Sequence, residues 1–530
     1  MSKIKKILAF TLAMLLLVGV LAGCGASNNT DTSDNNKGTN NSNDVTPSPG
    51  GNDEVDLSEE VHLIYYLWGG EGPANQDILD EINKYLKEDI NATLEVKYID
   101  WGEIATKYPL LFASGEEFDM SHASPNAAIS YFTLAAQSAL TDITDMLDKV
   151  APILKNEIPE STWNGTKYKG RIYGVPTLYS EFTPSGYVYR RDLMEKYGLD
   201  EINSVETLEK YMDAVVENEN FPPLNGNSSD AINLYRMLVD TTGSWIAAPG
   251  IPLDQLFLVA TSPSNYDDII HPAFTQEFED WAVLMHKWSE KGYWPKDILS
   301  SQQDSKTNFN NGNSGGFITH MADWTGNYGA FKESMPDVET DFWTFAEANN
   351  KIMRKMGVEN TTVISANSKH PERALMAIEK FMTEEKYYRL IQYGIEGRQY
   401  EIVDGLAVQP ENFDPDVDAG GFAAWALRND RFNIPYASED PRRYELIDKW
   451  NQVAINNPYM GFSFDDSNVA TELSSIANVN SQIGIQIMLG KTQDPKEAVE
   501  QYRNQLLQAG IERLIEEIKS QLEDFTPIEE

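Results

Sequence analysis

The sequence predicts an α/β fold, on three observations. Strand-like apolar runs alternate with helix-periodic segments from residue 61 onward. Gly and Pro punctuate the alternation. A chain of 530 residues exceeds what one hydrophobic core serves and suits two or three domains. In "VHLIYYLWGG", Val61, Leu63, Tyr65 and Leu67 alternate with His62, Ile64 and Tyr66, apolar enough for a strand buried on both faces, and Gly69-Gly70 ends it. "ANQDILDEINKYLKEDI" then sets Ile78, Leu79, Ile82, Leu86 and Ile90 at helical spacing. "ATLEVKYID" reads as a second strand, "WGEIATKYPLLFASG" as a second helix, "FDMSHAS" as a third short strand and "NAAISYFTLAAQSALTDIT" as a third helical segment. Such alternation gives parallel βαβ units, whose ligands bind at the carboxyl ends of the strands. That rule brings Trp68 to Gly72, Trp101, and Ser121 to Pro125 near one crevice.

Further on, "YKGRIYGVPTLYSEFTPSGYVYRRDLMEKYGLDEINSVETLEKYMDAVVEN" carries short apolar alternations followed by a helix. "GFITHMADW" and "KIMRKMGVENTTVISANS" contain strands. "HPERALMAIEKFMTEEKYYRLIQYG" reads as a helix with Pro371 near its start, Ala374, Ile378 and Phe381 on one face, and Gly394 closing it. Residues 497 to 524 form a last amphipathic helix, broken at Gly510. No internal repeat of 20–50 residues is visible.

The amino terminus has a different logic. Lys3, Lys5 and Lys6 precede an apolar run from Ile7 to Val20, about 14 residues and short of the ~20 of a membrane span. Leu21-Ala22-Gly23 precede Cys24, the single cysteine of the chain, so neither an intramolecular disulfide nor a cysteine-rich zinc site is available. These are the marks of a secretory signal peptide. Leu-Ala-Gly-Cys resembles the lipobox of bacterial lipoproteins, which implies cleavage before Cys24 and lipid on its sulfur. The stretch 25–59 is nearly all Gly, Ser, Asn, Thr, Asp and Pro, too polar to fold. As a flexible tether of about 35 residues it spans roughly 30–35 Å. The mature chain would therefore begin at residue 24, leash 24–59, and fold from 60.

Composition narrows the classes. Formal charge is −40, and removal of the three leader lysines makes it about −43. Such a chain does not adsorb to nucleic acid or anionic lipid. Its 11 Trp and 25 Tyr are enough to supply stacking platforms as well as a core.

"LFASGEEFDM", "SALTDITDML", "YKGRIYGVP", "YVYRRDLMEKYGL" and "VISANSKHPERALMAIEKFMTEEKYYRLIQYG" occur in this order. In that order they resemble the extracellular solute-binding proteins of sugar type that serve ABC importers. "GFSFDDSNVATELSSIANVNSQI" and "QYRNQLLQAGIERLIEEIKSQLEDF" are similar to the LipO-type lipoproteins. The resemblance implies a type II, two-lobed periplasmic-binding-protein-like fold with a helical C-terminal extension. It implies an N-lobe of 60–175 and about 362–400, a C-lobe of 176–361 and about 401–530, and crossings near Tyr173 to Ser180 and Thr361 to Ser365. It further implies a monomeric, lipid-anchored receptor on the extracytoplasmic face of a bacterial membrane. Such a receptor closes on a carbohydrate, passes it to permease subunits, and makes or breaks no bond.

A sugar site wants an aromatic plane and convergent charged hydrogen-bonding groups, because sugar faces are C–H patches ringed by hydroxyls. Trp68 with Glu71 at the first strand exit, Ser121, His122 and Ser124 after the third strand, and Tyr179 and Glu181 after the first crossing are the expected lining. Trp324 in "GGFITHMADW" matches a family position where an aromatic stacks on the ligand. Trp245, Trp425 and Arg398 complete the expected set, Arg398 as a donor or a surface ion pair. A glycoside hydrolase would need a pair of carboxylates about 5 or 6.5–9.5 Å apart, and no hydrolase signature accompanies the acidic residues. A structural adhesin suits the acidic, tethered chain but not a hinge. No metal or cofactor is expected. The histidines show no H-x-x-x-H pair, and there is no phosphate-binding G-x-x-x-x-G-K-[ST] loop. "DPDVDAGG" spaces Asp414, Asp416 and Asp418 like a calcium loop, yet puts Ala419 where glycine belongs and Trp425 where a bidentate Glu belongs.

Overall fold

The computed structural model describes residues 55–527, apart from 126, 180, 183, 249–256, 356–358, 423, 460–461, 463 and 467. The leader, Cys24 and most of the tether lie outside the described residues. No helix among the described residues is long and apolar enough to cross a membrane.

The first lobe is built on a five-stranded sheet ordered 92–99, 61–68, 120–123, 361–364, 174–176. The first three strands are parallel, with Tyr65 beside Val96 on one side and Met120 on the other. The strand Thr361–Ile364 runs antiparallel to both of its neighbours. Alternation along Val61–Trp68 sends Leu63, Tyr65 and Leu67 into one core with Ile78, Ile82, Ile378 and Phe381. Ile64, Tyr66 and Trp68 face the other core, with Tyr108, Phe118 and Tyr131. The expected doubly buried strand is therefore present, covered on one face by helices Asn75–Ile90 and Pro371–Thr383. Gly174 is required where its strand meets the next, since a Cβ there would lie 2.4 Å from Thr361 Cγ2.

The second lobe places Ser185–Arg190 between Gly316–His320 and Thr340–Thr344 in an antiparallel sheet. Its main core is completed from the far end of the sequence. Val499, Tyr502, Leu506, Leu514, Ile518 and Leu522 are buried together with Tyr211, Tyr235, Trp281 and Trp288. Trp294 Nε1 donates to the carbonyl of Leu489 at 2.9 Å. The C-terminal helices, Pro495–Gln508 and Ile511–Glu523, break at Gly510 with φ +89°, as the sequence predicts. They are embedded in the lobe rather than appended to it.

Three passages join the lobes. The strands Gly174–Pro176 and Thr361–Ile364 both belong to the first sheet, so the first passage begins at Thr177 and the second ends at Asn360. The first passage starts inside the expected Tyr173 to Ser180, while the second ends directly before the expected Thr361 to Ser365, because that strand is held in the first-lobe ladder. Ala424 and Leu427 pack in the first-lobe core, and Leu446 and Trp450 pack in the second. The third passage is therefore 428–441 rather than a return near 401. Leu178 and Arg428–Asp430 pair across two of these passages, with Leu178 N and Asp430 N each 3.0 Å from its acceptor carbonyl. A small sheet ordered 455–456, 353–355, 181–182 gathers the strands that adjoin the first two passages and the strand after the helix Arg442–Asn451.

Candidate functional site

The parallel strands of the first lobe end on a nest of aromatic rings. Trp68 is the last residue of its strand, and its ring centroid lies 4.2 Å from that of His122 in the strand Met120–Ala123. Trp425, on the turn Trp425–Leu427, lies 6.1 Å from His122 and 5.5 Å from Trp101. Trp101 follows the strand Ala92–Ile99 directly, where Asp100 accepts from Gly102 N and turns the chain. It is 57% exposed, a large apolar surface with no cover. Tyr108 meets Trp68 edge-on at 5.3 Å and donates from its hydroxyl to the His122 carbonyl at 2.9 Å, fixing the base of the nest.

Two loops are stapled together to make it. Ala74 N donates to the Ala419 carbonyl at 3.0 Å, and Asn75 Oδ1 accepts from Gly421 N at 2.8 Å. Gly72 permits this approach, because a Cβ there would sit 2.7 Å from the Ala419 oxygen. The exit loop of the first strand thereby carries the segment that ends in Trp425. Glu71 stands exposed on this loop.

His122 is buried, with Nε2 3.0 Å from Asn360 Oδ1 on the second passage. Burial holds its ring well below the usual imidazole range, at about 4; the Asn360 bond opposes this and the nearby Arg428 charge adds to it. With Nε2 donating to Asn360, Nδ1 is a bare acceptor. Neither His122 Nδ1 nor Trp68 Nε1 meets a partner among the described residues. An orphaned acceptor beside an orphaned N–H donor costs roughly 1–3 kcal/mol for each group, and a hydroxyl, which both accepts and donates, can satisfy the two together.

Other expected residues take different roles. Ser121 is fully buried and its hydroxyl donates to the carbonyls of Tyr66 and His122, both at 3.3 Å, so it holds backbone. Ser124 is buried at the strand exit, and its carbonyl accepts from Ala127 and Tyr131. Tyr179 lies on the first passage, its hydroxyl accepting from Arg443 at 2.7 Å and its ring under Arg428 at 4.7 Å. The backbone of Glu181 pairs with Lys355; its side chain lies outside the described residues.

Residues 71–388 match the family of bacterial extracellular solute-binding proteins. The chain belongs to that family. Residues 458–527 match a domain of unknown function. A carbohydrate ABC transporter substrate-binding protein of Streptococcus pneumoniae serotype 4 is 24% identical over 466 residues, covering 86% of this chain and 89% of the relative. The solved N-glycan transport solute-binding protein NgtS of the same species aligns with a TM-score of 0.73 at 21% identity over 88% of this chain and 99% of its own. The alginate-binding protein AlgQ2 aligns at 0.60, with 15% identity over 88% and 98%. These likenesses show the α/β two-lobed fold that the sequence predicts, and the relatives are binding proteins rather than enzymes.

Within that solute-binding fold two expected ligand residues, Trp324 and Trp245, are corrected, and Arg398 takes the ion pair that was its other expected role. Trp324 is 3% exposed, donates from Nε1 to Thr340 Oγ1 at 2.9 Å, stacks on Phe342 at 5.1 Å and lies under Arg442 at 4.7 Å. Its ring is a core contact of the second lobe, since its short helix Met321–Gly326 turns it toward the sheet. Trp245 is buried in the other second-lobe core, with its carbonyl accepting from Lys351 at 2.9 Å. Arg398 binds Asp418 at 2.8 Å, Asp77 at 2.6 Å and the Val417 carbonyl at 3.3 Å, an ion pair that ties loops of the first lobe. In the calcium-like loop Asp418 pairs with Arg398, and Asp414 accepts from Asp416 N at 3.0 Å. Among the described residues no group of three or more His, Cys, Asp or Glu side chains is arranged for a metal.

Trp101 was expected beside the crevice but not named as a ligand residue, and Asn360 and Arg428 were expected in neither place. The position of Trp101 immediately after a strand was the available signal. Asn360 and Arg428 reach the nest only through the passages between lobes, which local sequence does not announce.

Proposed function

We propose that this chain is a lipid-anchored receptor that captures a carbohydrate between its lobes and delivers it to an ABC importer. One observation carries the binding half of this reading: exposed and half-exposed indoles of Trp68, Trp101 and Trp425 stand at the carboxyl ends of the parallel strands, beside the passages between the lobes. Ring faces in a concave, partly apolar site suit the C–H faces of sugars. The orphaned pair on Trp68 and His122 suits a hydroxyl. The curated relative is a carbohydrate transporter's binding protein, and NgtS has been solved with Man1GlcNAc, which supports a glycan as the ligand. Closure about the three passages would sequester the ligand with few backbone changes.

The anchoring half rests on Leu-Ala-Gly-Cys24 and the polar segment after it. A single acyl chain gives only marginal binding, so Cys24 must carry more than one for firm retention. The pairing Glu71, Tyr179 and Glu181 with the nest is part of the same proposal.

A thermal-shift screen of the full chain against neutral and acidic glycans, followed by small-angle scattering on hits, tests the reading. It predicts stabilisation without turnover and compaction on binding. Release of cleaved sugar would contradict it, as would a panel that leaves the melting temperature unmoved. Cys24→Ser should release the protein from cells into the medium; membrane retention of that variant would sink the anchor.

A further inference from the structure

We propose that the cleft prefers glycans bearing a carboxylate, and that Arg428 is the group that takes it. This rests on the carbohydrate reading and names a substrate class within it.

The third passage and the helix Arg442–Asn451 that follows it carry Arg428, Arg431, Arg442 and Arg443. Arg431 pairs with Glu157 at 2.5 Å, Arg442 with Asp341 at 3.2 Å and with Asp440, and Arg443 with Glu439 at 3.0 Å. Arg428 differs from all three. Among the described residues its guanidinium meets no carboxylate and donates no hydrogen bond; its contact is the ring of Tyr179, 4.7 Å from the centroid. That contact uses none of its N–H donors. In a chain with 82 acidic residues to 42 basic ones, an unpaired, half-buried guanidinium is the exception. Arg373, which also lacks a carboxylate partner, binds the carbonyls of Asp56 and Asn91 instead.

Its place is as informative as its lack of partners. Arg428 follows the turn Trp425–Leu427 that presents Trp425 to the nest, and its carbonyl accepts from Leu178 N next to Tyr179. Its charge reaches His122. His122 is itself held neutral, so Arg428 is the positive charge beside these rings. The neighbouring acids Glu439 and Asp440 are already matched to Arg443 and Arg442. The surplus is one fixed positive charge with a planar fork of donors, the geometry that fits a carboxylate bidentately. A sugar stacked on Trp425 and carrying a uronate or sialate carboxyl would satisfy both groups.

The test uses glucuronate-containing and sialic-acid-containing trisaccharides with their carboxyl-reduced counterparts, titrated calorimetrically into the full chain. The acidic forms should bind at least about tenfold tighter than the reduced ones. Arg428→Gln should shrink that preference to below about threefold, with Arg428→Lys in between because it keeps the charge and loses the fork. Melting curves check that each variant folds, and the Lys variant decides the matter if the Gln variant does not. Equal binding of acidic and reduced forms, or a preference that survives in Arg428→Gln, would overturn the proposal. Binding of neutral glycans alone would remove only the acidic class. Failure of every glycan to bind would remove the carbohydrate reading with it.

Discussion

The two lobes use tryptophan in opposite ways. In the second lobe Trp245, Trp281, Trp288, Trp294, Trp324, Trp343 and Trp450 are all at most 8% exposed. In the first, Trp163 is buried, while Trp68 and Trp425 are half-exposed and Trp101 is 57% exposed. The difference follows from backbone layout. Parallel strands stop together, so a residue at their carboxyl ends has neighbours beside it and open space ahead of it. The second lobe has antiparallel strands and helices whose faces are covered, in part by segments from the last 70 residues of the chain. Residue type says that an aromatic is valuable; its position on the strand says whether a ligand can use it.

The largest effect that separates the lobes should come from deleting 458–527. This removes Val499, Tyr502, Leu506, Leu514, Ile518 and Leu522 from the second-lobe core. At about 1.5–3 kcal/mol for each large side chain, the loss is of the same order as the whole stability of an ordinary domain. Circular dichroism of the truncated chain should show loss of cooperative melting. A native-like transition would mean that these helices are an appendage after all.

Next in size, Trp324→Ala should destabilise by about 3–5 kcal/mol, the cost of a buried aromatic, whereas Trp101→Ala should cost less than about 1 kcal/mol because its ring is solvated. Denaturant titration of both variants gives the comparison directly. Equal costs would erase the distinction between core and rim.

Acidification should weaken both lobes. Burial holds His122 at about 4 and His271 of the second lobe at about 3, below the ordinary value of 6.5. The unfolded chain therefore binds more protons than the folded one through that window. Stability is full above pH 6.5 and falls as pH drops toward 4, by up to about 1.4 kcal/mol per pH unit for each ring. Melting temperature against pH should show the fall, and His122→Asn should flatten part of it. An unchanged slope in that variant would mean that His122 is not held neutral. The smallest effect belongs to the passages: Tyr179→Phe removes the bond from Arg443 and should cost about 1 kcal/mol or less in stability. A large loss would give Tyr179 a structural weight its contacts do not suggest.

Much of the first lobe was legible because period and punctuation agree there. The alternation in 61–68 and the i, i+3, i+4 pattern in 75–90 specify a strand and a helix with no competing reading. The segment 371–393 was legible as helix but not as two helices. It breaks at Glu384, φ −109° and ψ 120°, where no Gly or Pro marks the sequence. The meeting of Trp68 and His122 at the strand ends was legible from the strand-exit rule. Trp324 was misread because the resemblance put "GGFITHMADW" at a ligand-stacking position, and nothing local says that the strand Thr340–Thr344 and the helix Arg442–Asn451 close over that ring. Arg428 was illegible for the complementary reason: its significance lies in a missing partner, which only the fold reveals.

On the proposed function, ligand meets the rim indoles of the first lobe and none of the buried ones of the second. Calorimetric titration of a glycan hit into Trp425→Ala and Trp324→Ala, at a temperature where both remain folded, tests it most directly. Trp425→Ala should bind at least about tenfold more weakly, and Trp324→Ala should keep an affinity within about twofold of the parent. Unchanged affinity in Trp425→Ala with a tenfold loss in Trp324→Ala would contradict it.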